Sequence, residues 1–152
     1  MVTGLKELLS TKGEVTFVGI GNVLKKDDGI GVYICKKIEE APHQKCVIVE
    51  QSLENYIGAI NATNPDKVIL IDAVDFNQTP GHVELFPVHQ LTDQTSHTHN
   101  ISLEKLADFF DVPAWVLGIQ PGDVCFGEGF TKEVLEAAEE VVEELSSGEV
   151  IS

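Results

Sequence analysis

Two adjacent carboxylates, Asp27 and Asp28, a third at Asp72, and the imidazoles His97 and His99 are the side chains of this 152-residue sequence best suited to chemistry. Asp27 and Asp28 stand where an apolar run has ended and a helical pattern begins. An acid in a first helical turn stabilises by a few tenths of a kcal/mol to about 1 kcal/mol, and one acid is enough for that. A second, adjacent carboxylate adds repulsion unless a cation offsets it. Local chemistry therefore leaves two uses open at even weight: both acids at the helix start, or one cap and one ligand.

Asp72 directly follows Val68-Ile69-Leu70-Ile71. A carboxylate delivered from a covered apolar strand is partly desolvated and needs a partner, which favours a functional role over simple closure of a turn. Asp75, three residues on, reads as a turn former. Of the five histidines, His43, His82 and His89 fall in turns or on an exposed strand and read as surface residues. His97 and His99 precede a helical pattern, and a His-x-His pair in a polar loop does not by itself decide for a metal.

Two carboxylates and one imidazole form an O, O, N set that suits zinc, nickel or a related divalent ion with positions left open for water or substrate. Covalent catalysis has no support: no G-x-S-x-G turn is present, and Cys35, Cys46 and Cys125 have no evident base beside them. Their odd number and unrelated spacing exclude a disulfide framework and a zinc knuckle, and they read as buried, reduced thiols. Gly19-Ile20-Gly21-Asn22-Val23-Leu24 lies where a dinucleotide fingerprint would be. Leu24 replaces its third glycine, and two acids at the helix start would repel a pyrophosphate.

The elements that must position these residues alternate between strand and helix lengths, without repeats or linkers, which predicts one α/β domain over residues 1–152. Strands are expected at Val15–Ile20, Cys46–Glu50, Lys67–Ile71 with Asp72 closing it, Gly81–Pro87 and Ala114–Ile119. Helices are expected at residues 3–10, Asp28–Glu40, Leu53–Ala62, Ser102–Phe110 and Thr131–Leu145, the last with Thr131 as N-cap; residues 88–100 read as a polar loop. The sum is a three-layer α/β/α sandwich around a mixed five-stranded sheet, mostly parallel, with one antiparallel edge strand. Ligands gather at the carboxyl ends of such strands, which collects Asp27, Asp28, Asp72, Asp75 and the loop after Gln120 on one rim.

Ten Lys and no Arg stand against 25 Asp plus Glu, a formal charge of -15, and that field disfavours nucleic acid and anionic membranes as partners. The closing helix carries much of the excess on a solvated face. No run approaches the roughly 20 apolar residues of a membrane span. The first residues are too charged for a signal peptide, so the cytoplasm is the expected compartment.

Four segments in this order resemble the hydrogenase maturation proteases: Val18-Gly19-Ile20-Gly21-Asn22-Val23-Leu24 with Asp27-Asp28-Gly29-Ile30-Gly31, then Leu70-Ile71-Asp72-Ala73-Val74-Asp75, Thr98-His99-Asn100-Ile101-Ser102-Leu103, and Leu117-Gly118-Ile119-Gln120-Pro121. Thr-His-Asn and Gly-Ile-Gln-Pro look most like the branch serving hydrogenase 3. The resemblance implies an endopeptidase that trims the C-terminus of a [NiFe]-hydrogenase large subunit precursor after nickel insertion, with Asp28, Asp72 and His99 as metal-binding and catalytic residues. Nickel would arrive with the substrate, and the same residues could take up adventitious zinc, cadmium or nickel in the free protein, which is expected to be a monomer. Asp28 stands where many members carry glutamate, Lys25 and Lys26 where small or apolar residues are common, and His97 is a competing ligand. A rival from another class is a non-catalytic nickel-sensing chaperone that binds the immature subunit without cutting it.

Overall fold

The computed structural model describes residues 2–10, 13–38, 43–90, 96–97, 105 and 107–146. In chain order the elements are α1 (Leu5–Ser10), β1 (Val15–Ile20), α2 (Ile30–Lys37), β2 (Gln44–Glu50), α3 (Ile57–Ala62), β3 (Lys67–Asp75), β4 (Val83–Pro87), β5 (Ser96–His97), β6 (Ala114–Ile119) and α4 (Lys132–Ser146). Five strands form one sheet in the order β2-β1-β3-β6-β4. Neighbours run parallel except β4, which lies antiparallel to β6 at the edge.

The sheet is central because its middle strands cannot face water on either side. All six residues of β1 and the first eight of β3 are buried, as befits parallel strands covered on both faces. Alternation sends Phe17, Ile69 and Ile71 toward α1, α2 and α4, where they meet Leu5, Ile34 and Val141. Val18, Val68 and Leu70 face the other way, onto Leu53 and Ile60 around α3. Each such side chain contributes about 1.5–3 kcal/mol of burial. The amphipathic α4 buries Val134, Ala138, Val141 and Leu145, spaced along one stripe, and turns glutamates outward. The expected three-layer sandwich with its mixed five-stranded sheet is therefore what the chain forms.

Some boundaries differ from the sequence expectations. β3 runs to Asp75, so Asp72 sits inside the strand: β6 pairs with β3 through Ala73, and β5 pairs antiparallel with Val74 and Asp75. The helix expected from Asp28 opens as a 3-10 turn over Lys26–Gly29, entered with Lys26 at φ 44°, and becomes α-helical at Ile30. Gly29 and Gly31 explain this, since glycine is a poor helix former and is kept here for close approach. A 3-10 turn at Val88–Gln90 and the short β5 interrupt the region expected to be a loop. The helix expected over Ser102–Phe110 lies largely outside the described residues, and Ala107–Phe109 is a 3-10 turn.

Candidate active site

β1 pairs with β3 only as far as Ile71, whereas β6 accompanies β3 two residues further. β3 thus projects past β1, and Asp72 is the first residue beyond β1's reach. It is fully buried. The 3-10 turn carrying Asp28 packs against β3, and it can do so because of Gly31, where a Cβ would overlap the carbonyl oxygens of both Ile71 and Ile20. Gly21, at φ 149°, serves the same approach: a side chain there would strike the carbonyl oxygen of Asp28. The glycines of this motif accordingly permit backbone-to-backbone contact, bringing the Asp28 turn to the strand end that bears Asp72.

Asp27 and Asp28 are both buried, and their surroundings differ. Asp27 Oδ2 accepts the backbone N–H of Gly122 (2.8 Å), that of Asp123 (2.9 Å) and the Thr131 hydroxyl (2.6 Å), while Oδ1 accepts the Thr131 N–H (2.8 Å). A carboxylate so surrounded ties residues 122–131 to the turn. Asp28 Oδ2 accepts the N–H of Asn22 at 3.0 Å, which fixes its carboxylate against the end of β1. The two acids hence have separate tasks. Thr131, the expected N-cap, immediately precedes α4, accepts the N–H of Leu135 on its carbonyl and donates its hydroxyl to Asp27.

The loop after Gln120 is bound to the Asp28 turn at further points. Lys26 Nζ pairs with Asp123 Oδ2 at 2.9 Å, Lys26 N–H donates to the Gly127 carbonyl, and Gly127 N–H donates to that of Leu24. The N–H of Cys125 and then the Lys26 ammonium hold the Asp123 carboxyl below its ordinary range, and Asp123 in turn raises Lys26. On the other side of the rim, Gln120 is buried and clamps the turn after β3. Its Oε1 accepts the N–H groups of Phe76 (2.6 Å) and Gln78 (3.3 Å), and its Nε2 donates to Asp75 Oδ1 (3.2 Å). Asp75 is exposed and also accepts the Asn77 N–H, the turn-forming use expected of it.

His99 lies outside the described residues. The backbone of His97 pairs with Val74, so the chain two residues before His99 is anchored to β3 just past Asp72. His43 and His82 bond Glu14 (3.2 Å) and Glu84 (2.7 Å) at the surface, and His89 is exposed. The cysteines correct one expectation: Cys35 is buried and Cys46 half-buried, but Cys125 is exposed, on a loop whose residues 125–129 are all exposed and whose Cys125 N–H donates to Asp123 Oδ1. Sequence reasoning singled out Gln120 without a role and missed the Lys26–Asp123 link. A polar residue ending the apolar run Val116–Ile119 was the available signal for the first.

The pattern of the hydrogenase maturation protease family HycI matches residues 32–147. The chain belongs to the hydrogenase maturation protease family. The matched span includes Asp72 and His99 and begins after Asp28. The hydrogenase 3 maturation protease of Escherichia coli strain K12 is 30% identical over 136 residues, 86% of this chain and 87% of that relative. A putative hydrogenase maturation protease of Methanocaldococcus jannaschii is 26% identical over 144 residues, 87% of this chain and 94% of that one. Among solved structures, a [NiFe] hydrogenase maturation protease HycI from Thermococcus kodakarensis KOD1 superposes with a TM-score of 0.82 at 28% identity, covering 97% of both chains. The hydrogenase maturation proteases are peptidases, so the buried acids of this rim sit in an enzyme fold.

Proposed function

We propose that this protein is the endopeptidase that removes the C-terminal extension of a [NiFe]-hydrogenase large subunit precursor after nickel insertion, and that Asp28, Asp72 and His99 recognise the nickel carried by that substrate. The observation that supports this reading most is the placement of two buried carboxylates, Asp28 and Asp72, at adjoining backbone segments on the carboxyl rim of the sheet. Burial of two like charges is costly without a compensating cation, and oxygen donors with an imidazole fit a borderline divalent ion. A divalent ion held there would polarise a scissile carbonyl or acidify a water, with a carboxylate of this chain taking the proton. The same donor set would accept adventitious zinc, cadmium or nickel in the free protein. We place the reaction in the cytoplasm and the enzyme as a single-domain monomer; no helix among the described residues is long and apolar enough to cross a membrane.

The test is to incubate the protein with nickel-loaded and nickel-free precursor and follow the mass of the C-terminus. Shortening of the nickel-loaded form alone supports the reading. Equal cleavage of both forms overturns nickel recognition, and a stable complex without shortening identifies a nickel-sensing chaperone instead.

A further inference from the structure

The most exposed apolar side chains beside the Asp28 turn form a patch that the site's chemistry does not use. Leu24 is 66% and Phe126 76% exposed, and Val23 joins them at 46%. Val23 also lines a cleft of about 170 Å³ whose walls include Val32, Tyr33 and Phe130. Tyr33 and Phe130 meet edge to face at 5.1 Å, giving that wall a fixed shape. Patch and cleft are one surface, because the turn carrying Val23 and Leu24 borders both.

Charge on this surface runs against that of the whole molecule. Four of the ten lysines lie here in a chain of formal charge -15. Lys25 stands over the Phe126 ring at 5.6 Å and Lys37 over Tyr33 at 5.5 Å, while Lys26 and Lys36 line the cleft. Among the acids of these segments, Asp27 and Asp28 are buried and Asp123 is paired with Lys26, leaving Glu128 exposed. Exposed apolar groups under a basic rim mark an interaction surface whose partner is apolar and acidic. Its position matters equally: Asn22, whose N–H holds Asp28, is the residue next to Val23, so an occupant reaches the candidate active site without a gap.

We propose that Val23, Leu24 and Phe126, with Lys25 and Lys36, dock a segment of the large subunit precursor in which apolar side chains alternate with carboxylates. The proposal rests on the function proposed above, and it assigns this face to substrate capture, separate from cleavage. Hot spots of this kind concentrate in a few aromatic and apolar anchors.

The experiment uses the whole protein and nickel-loaded precursor, with two readouts: cleavage kinetics and alkylation of Cys125, which is exposed within the same loop. Leu24→Ser with Phe126→Ser should raise KM about tenfold or more while kcat stays within about twofold, the signature of lost uniform binding. Lys25→Glu with Lys36→Glu, which alters no buried group, should act the same way and serves if the apolar variant fails to fold. Precursor should slow Cys125 alkylation in the wild-type chain and not in either variant. Phe109→Ser, exposed on the α3 side of the sheet, should leave KM and labelling unchanged. Unchanged KM and unchanged Cys125 protection in both docking variants overturn the proposal. A self-associating wild-type chain that the variants render monomeric without loss of precursor binding overturns it too. Protection of Cys125 without any cleavage would refute the endopeptidase reading and leave the docking surface standing.

Discussion

Asp27 grips Thr131 twice, its Oδ1 accepting the backbone N–H at 2.8 Å and its Oδ2 the hydroxyl at 2.6 Å. The partners are more than a hundred residues apart in sequence and meet at the entrance to α4. Together with the amides of Gly122 and Asp123, Thr131 supplies Asp27 with a complete set of donors, and the neighbouring Asp28 remains turned toward Asn22.

This division predicts opposite phenotypes for adjacent residues. Asp27→Ala leaves several donors without their acceptor and should cost about 3 kcal/mol or more of stability, read as a lowered midpoint in urea. Asp28→Ala should cost less, about 1–2 kcal/mol for the acceptor lost to the Asn22 N–H, and reduce precursor processing by at least about a hundredfold. A normal midpoint for the Asp27 variant would contradict its role as a tie.

Asp72→Ala and His99→Ala should likewise abolish processing with the far-ultraviolet spectrum intact, whereas His97→Ala should be tolerated. Mass spectrometry of the precursor C-terminus reads all three. Loss of activity confined to His97→Ala would transfer the imidazole role to that residue.

Gly31→Ala tests the close approach of α2 to the strand ends. The added methyl must push aside the carbonyls of Ile71 and Ile20, both backbone atoms, so a loss of roughly 1–3 kcal/mol is expected. Processing should fall with it, because the Asp28 turn retreats from Asp72. Gly58→Ala, where a methyl meets open space in helix α3, should be neutral or stabilising by up to about 1 kcal/mol.

The sheet is legible in the sequence because β1, β3 and β6 are continuous apolar runs, and burial on both faces demands that pattern. The rim follows from it, since parallel strands share one carboxyl end. Asp72 could be placed on that rim but not inside the strand, because the ladder beyond Ile71 depends on β6 and β5, partners distant in the chain. Local chemistry leaves open which of Asp27 and Asp28 is structural, and only the family resemblance singles out Asp28: the donors that tie down Asp27 lie at Gly122, Asp123 and Thr131, and nothing near it in sequence announces them.

Acid should loosen the loop that carries these donors. The Cys125 N–H and Lys26 hold the Asp123 carboxyl below its ordinary value of 3.8. A depressed folded-state pKa contributes stability that is present above the unfolded value and is lost as pH falls through the folded one. Amide protection at Cys125 and Gly127, measured against the intrinsic exchange rate at each pH, should therefore fall below about pH 4, and Asp123→Asn should show that lower protection already at neutral pH.

The overhang of β3 past β1 constrains how this rim can change. Side chains of a strand point alternately to opposite faces, so a slip of one position would carry the Asp72 carboxylate through the sheet to the far layer. The acid is held by the ladder on the β6 side and cannot drift along the strand by small steps. On the metal role proposed above, adjustment of ion preference would fall to side-chain length at Asp28, which is carried on the 3-10 turn and not on a strand.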